Sequence, residues 1–182
     1  MKEKLLHLLY DNRLIRNDEE FEIFDSTLDL LCDETIEAND IISLIHVLDD
    51  NTEDMEVMYR LIHLIEEYIF SEKSYIMLLN GISDIVNNSP EWSRVIMYRL
   101  LNDNDSVLKL KKILKSLDDN VYNNIYKLLI NIYNEDTSLF GDKIKEIFFR
   151  WFKKDLSELT AFENSHEALI DFGYVCGILL IN

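Results

Sequence analysis

Glu53-Asp54-Met55-Glu56-Val57-Met58-Tyr59-Arg60-Leu61-Ile62-His63-Leu64-Ile65-Glu66-Glu67-Tyr68-Ile69-Phe70 is the stretch whose reading decides the fold. Met58, Leu61, Ile62, Ile65 and Ile69 recur at three- and four-residue intervals, which places them on one face of a helix. Glu56, Arg60, His63 and Glu67 share the other face, and Glu56 before Arg60 predicts a favourable i,i+4 ion pair. A half-buried strand would alternate in twos, and this segment does not.

The same spacing extends in both directions. Helices are expected at about 2–10, 18–32, 39–48, 53–70, 74–86, 90–101, 106–117, 120–133, 142–153 and 165–181, with 154–162 the weakest stretch. Phe21, Phe24, Leu28 and Leu31 form the inward face of the second helix, and Asn17 is its expected N-cap. Ile41, Ile42, Ile45 and Leu48 point inward from the third. Ser89-Pro90-Glu91-Trp92 is a strong start signal, with Ser89 as N-cap and Pro90 at the first helical position. Gly141 is expected to mark a turn before Asp142. Only four Gly and one Pro occur in 182 residues, too few for the turns of a strand-rich fold. The expected fold is therefore all-α: about ten helices in an α-hairpin superhelix or a compact helical bundle, over a single domain spanning 1–182.

Charge is distributed unevenly. Residues 17–59 hold fifteen Asp or Glu and no Lys or Arg. Residues 1–91 carry 22 acidic and 6 basic side chains, whereas 92–182 carry 13 and 12, so the excess of a net −17 lies in the first half. Asp18, Glu22, Asp25, Asp29 and Asp33 are spaced four, three, four and four apart, on one face of the second helix. Each like-charged neighbour costs about 0.2–0.5 kcal/mol, and Asp33 also opposes the helix dipole. Asp49, Asp50, Glu53, Asp54 and Glu56 follow in the next loop and helix. These ten residues form the candidate partner-binding surface, and its chemistry calls for a basic protein partner. The plainer account is a solvated face that keeps the chain soluble.

Other chemistry is poorly represented. The chain has no Gly-rich phosphate loop, no G-x-S-x-G and no C-x-x-C, so no catalytic or cofactor site is nominated. His63 and Glu66 lack the Glu-x-x-His partners of a carboxylate-bridged metal centre, so no metal site is expected. Lys109, Lys111, Lys112 and Lys115 spread around their helix; salt bridges to acidic neighbours are expected there, not nucleic-acid binding. Phe148, Phe149, Trp151 and Phe152 read as core. Gly173 and Gly177 read as close helix packing, with a dimer seam as the alternative. Cys32 and Cys176 are expected as buried thiols. No signal peptide or membrane span is read in the chain, which points to a cytoplasmic protein.

Two stretches carry a family resemblance. Leu48-Asp49-Asp50-Asn51-Thr52-Glu53-Asp54-Met55-Glu56-Val57-Met58, continuing through Leu61-Ile62-His63-Leu64-Ile65-Glu66, resembles the immunity protein 30 family of bacterial polymorphic toxin systems. Ser89-Pro90-Glu91-Trp92 followed by Arg99-Leu100-Leu101-Asn102 resembles that family's Pro-Glu-Trp and Arg-x-Leu-Asn segment, and Asp11-Asn12-Arg13-Leu14-Ile15-Arg16 also fits. The resemblance spans roughly 1–117. It implies an all-α protein made beside a toxin gene, which binds the cognate toxin and protects the producing cell; with no chemistry nominated, the leading expectation is a non-enzymatic inhibitor. It supplies no active site; Glu66, Trp92, Arg99 and Asn102 match the pattern as packing and capping residues. The alternative function is an α-helical repeat scaffold that joins proteins without inhibiting any.

Overall fold

A computed structural model describes the backbone of residues 1–158 and the side chains of 1–148. Contacts group Met1–Ile147 as one compact unit and Phe148–Asn182 as a second. The expected helix at 165–181, with Cys176, Gly173 and Gly177, lies outside the described residues, as do the side chains of Phe149, Trp151 and Phe152.

The described chain is all-helical: α1 (Lys2–Asp11), α2 (Asp18–Cys32), α3 (Asp40–Ile45), α4 (Met55–Glu67), α5 (Glu72–Ile85), α6 (Pro90–Asn102), α7 (Asn104–Ile113), α8 (Asp119–Glu135) and α9 (Thr137–Glu158). A short 3-10 turn, Leu114–Ser116, follows α7. Local caps set most starts. Asn17 accepts the Glu20 N–H at α2, Asp54 accepts from Glu56 and Val57 at α4, and Asp118 accepts from Val121 at α8. Ser71 and Ser74 form a reciprocal capping box at α5.

Helices two places apart lie side by side. One series is joined by arginines: Arg60 of α4 pairs with Asp25 and Asp29 of α2, Arg99 of α6 with Glu66 of α4, and Arg94 of α6 with Glu135 of α8. The other is joined mainly by lysines: Lys112 of α7 with Glu72 of α5, and Lys111 of α7 with Glu146 of α9. In the same series, Lys2 of α1 meets Asp40 of α3, and His46, just after α3, meets Asp84 of α5. Such partly exposed pairs contribute about 0–1 kcal/mol each, so they set register more than stability. Stability comes from the apolar faces between the series. Met58, Leu61, Ile62 and Ile65 of α4 are buried, as are Phe24, Leu28 and Leu31 of α2, and Trp92 is fully enclosed. Where α3 crosses α5, a Cβ on Gly81 would lie 2.9 Å from Ile45 Cβ, so this crossing needs a glycine.

Several expectations are corrected. Arg60 does not pair with Glu56, because two carboxylates on α2 face it across the helix boundary. Gly141 is not a turn; it is buried inside α9, against Thr137 and Tyr133. Cys32, expected buried, is exposed, because it ends α2 beside the inward-facing Leu31. Lys111 and Lys112 do pair with acidic neighbours, while Lys109 lies over the Tyr75 ring at 4.7 Å.

Candidate functional site

The ten candidate acidic residues fall into two groups with different surroundings. On α2, Asp18, Glu22 and Asp29 are exposed and Asp25 is half-buried; Asp33, the C-cap just past the helix, is exposed as well. Arg60 holds Asp25 and Asp29, at 2.7 Å for Asp29. Asp18, Glu22 and Asp33 have no ion pair among the described residues. Periodicity placed these five side chains along one helix; it gave no sign that a neighbouring helix neutralises the middle of the row. Leu30, beside Asp29 on the same helix, is 55% exposed.

The second group lies in a junction where three sequence segments meet. Asp49 folds the 48–54 loop over itself, its carboxylate accepting from the Asn51 backbone N–H at 3.0 Å and the Asn51 side chain at 2.9 Å. Arg13 donates to the same carboxylate at 3.1 Å. Burial pushes the Asp49 carboxyl up, but the Asn51 donors and the Arg13 charge together outweigh it and hold it below the ordinary aspartate range. Asp50 reaches the start of α6, accepting from the Glu91 N–H at 3.0 Å and the Trp92 N–H at 3.1 Å. Ser89 was expected to cap α6. Its hydroxyl instead donates to the Leu48 carbonyl at 3.0 Å, and Asp50 caps the helix from about forty residues away in sequence.

Two further segments are tied into this junction. The Trp92 indole N–H donates to the Asp49 carbonyl at 3.1 Å, and its ring meets Tyr59 edge-on at 5.4 Å. Thr52 donates to the Arg13 carbonyl at 2.8 Å, and the Glu53 N–H to the Leu14 carbonyl at 2.9 Å. These bonds hold the two residues before Ile15, which is buried at φ 50, a conformation unusual for a β-branched residue. Asp49, Asp50 and Asp54 are therefore engaged in turn and cap contacts. Glu53 and Glu56 are exposed, without an ion pair among the described residues.

A cavity of about 290 Å³ opens between the end of α5, the start of α6 and the middle of α8, lined in part by Asn87, Arg94, Asn124, Lys127 and Asn131. Sequence reading gave these residues no weight. They come from three separated segments, and no short-range spacing connects them. Among the described residues no group of His, Cys, Asp or Glu is arranged to hold a metal ion, and no helix is long and apolar enough to cross a membrane.

The residues of the junction are those of the resembling stretches: 11–16, 48–66 and 89–102 converge on it. The family model described as Immunity protein 30 matches residues 11–110. The chain belongs to the Immunity protein 30 family. The match runs from the last residue of α1 into α7 and contains the whole junction. Within it, Glu66 and Arg99 tie α4 to α6 with a second contact at 2.6 Å, and Trp92 anchors the base of α6. Asn102 is the exposed last residue of that helix. Searches of curated proteins and of solved structures find no match to the chain. Family membership makes this an immunity protein, one that binds a cognate toxin.

Proposed function

We propose that this immunity protein acts without catalysis, by lying over the active or substrate-binding surface of its toxin with the exposed face of α2 against a basic patch. One observation carries the reading: Asp18, Glu22 and Asp33 stay free of ion pairs among the described residues, although Asp18 and Glu22 repel each other at i,i+4 and Asp33, the C-cap of α2, opposes the helix dipole. Carboxylates retained against folding stability are accounted for by a cationic partner that relieves the repulsion on binding. Nuclease toxins fit this chemistry, since a cleft that holds phosphates is basic. The junction acids supply rigidity, and Glu53 and Glu56 extend the negative field from α4.

The test is a triple variant, Asp18→Lys, Glu22→Lys and Asp33→Lys, compared with wild type for binding to the toxin encoded beside the gene. Wild-type association should slow steeply as salt rises, and the variant should lose both the salt dependence and protection in co-expression. A variant that binds and protects as well as wild type would move the interface off α2. Binding of the toxin without any loss of toxin activity would favour a scaffold instead.

A further inference from the structure

The cavity between α5, α6 and α8 gathers several uncommitted polar side chains around one space. Lys127 has no carboxylate partner among the described residues and lines the cavity. The side-chain amides of Asn87 and Asn131 likewise make no hydrogen bond among the described residues. Asn124 is fixed by its amide donating to the Ser83 hydroxyl at 3.0 Å. Arg94 is held between Glu91 and Glu135, with 3.0 Å to Glu135, which orients its guanidinium at the cavity wall. Neither glutamate reaches Lys127.

Among the lining side chains that make no hydrogen bond, donors outnumber acceptors. An ammonium offers three N–H groups and no acceptor, and each free asparagine amide offers two donors against one carbonyl. A ligand that satisfies them is anionic and rich in acceptors. Its size is limited as well. At roughly 30 Å³ per water, the space holds on the order of ten waters, the bottom of the range for small-molecule pockets. That suits one side chain of a partner better than a cofactor. Pro90 and Leu128 supply an apolar wall for its methylenes.

We propose that this cavity receives a carboxylate side chain, an Asp or Glu, from the protein partner. The assignment rests on the reading that the chain binds a toxin. It adds a second contact of opposite polarity to the α2 face, so that one site draws a cation and the other an anion. Two such contacts of opposite sign fix the orientation of a docked protein, which a single charged face cannot do.

The first experiment uses the full-length protein and glutamate capped at both ends, followed by ¹⁵N NMR, with capped glutamine and inorganic phosphate as comparison probes. Saturable shifts at the Asn87 and Asn131 side-chain amides are expected with capped glutamate, no response to capped glutamine, and a weaker one to phosphate. Lys127→Gln should weaken binding at least tenfold, while Lys127→Arg should retain it. Lys127 is exposed, so neither substitution threatens folding. Equal responses to all probes, tighter binding of phosphate, or an unchanged Lys127→Gln would overturn the assignment. With the toxin itself, undiminished binding by Lys127→Gln overturns the cavity's role and leaves occlusion by α2 standing. Failure of wild type to bind the toxin removes the occlusion reading, and the capped-glutamate titration then decides the cavity alone.

Discussion

Asp50 shows how a residue selected for its charge can owe its position to backbone chemistry. Its carboxylate accepts two N–H groups at the start of α6, which would otherwise be left without partners beside a fully buried tryptophan. Asp50→Ala should therefore lower stability by about 1–2 kcal/mol, the upper part of the range for lost caps. Urea denaturation measures this, and an unchanged midpoint would mean that water replaces the carboxylate. The junction also explains why its residues were only half legible from sequence. Asn17 was readable as a cap because its partner lies three residues away. The start of α6 was readable, but the group that caps it was not, since nothing local connects residue 50 to residues 91 and 92. Tyr98 is a comparable case: its hydroxyl donates to Asp136 of the α8–α9 turn at 2.6 Å, which pushes its pKa up to about 12.

At the level of elements, helix bodies followed from apolar spacing, while their contacts depended on which helix lay alongside. Gly81 illustrates the difference. In an isolated helix Gly→Ala gains about 1 kcal/mol. Here the new methyl would meet Ile45 Cβ at 2.9 Å, and that atom is fixed to the α3 backbone. Overpacking costs about 1–3 kcal/mol, so Gly81→Ala should destabilise by urea denaturation despite its better helix propensity. Gly141 was misread for the same reason: absence of a side chain suits close packing as well as a turn, and spacing does not distinguish them. Arg60 gives an element-scale prediction about binding. Arg60→Gln frees Asp25 and Asp29 at a cost of about 0–2 kcal/mol for the two partly exposed pairs. If α2 meets a basic toxin, this variant should associate faster than wild type at low salt. Stopped-flow mixing would show it, and a slower or equal rate argues against docking by α2.

Over the whole molecule, thirty-five acidic residues against eighteen basic ones leave more repulsion than the observed ion pairs relieve. Raising sodium chloride from low to moderate ionic strength should therefore raise the thermal midpoint while slowing association with a basic partner. Opposite signs for stability and association rate under one variable would separate self-repulsion from recognition. Composition made the charge imbalance readable, and the scarcity of Gly and Pro supported the helical class that apolar spacing gave. The donor-rich cavity was hidden because its lining is assembled only after α5, α6 and α8 meet.

The remote cap has a consequence for the order in which the protein assembles. A peptide covering residues 89–102 is too short to hold a helix well in water and lacks the Asp50 carboxylate that accepts the Glu91 and Trp92 N–H groups, so in isolation it should show little helical circular dichroism, and less than a longer peptide that includes residues 48–54. The first turn of α6 is reinforced when the loop at residues 49–52 has already turned to meet it. For a nascent chain leaving the ribosome, the earlier segment thus acts as an intramolecular template for the later one.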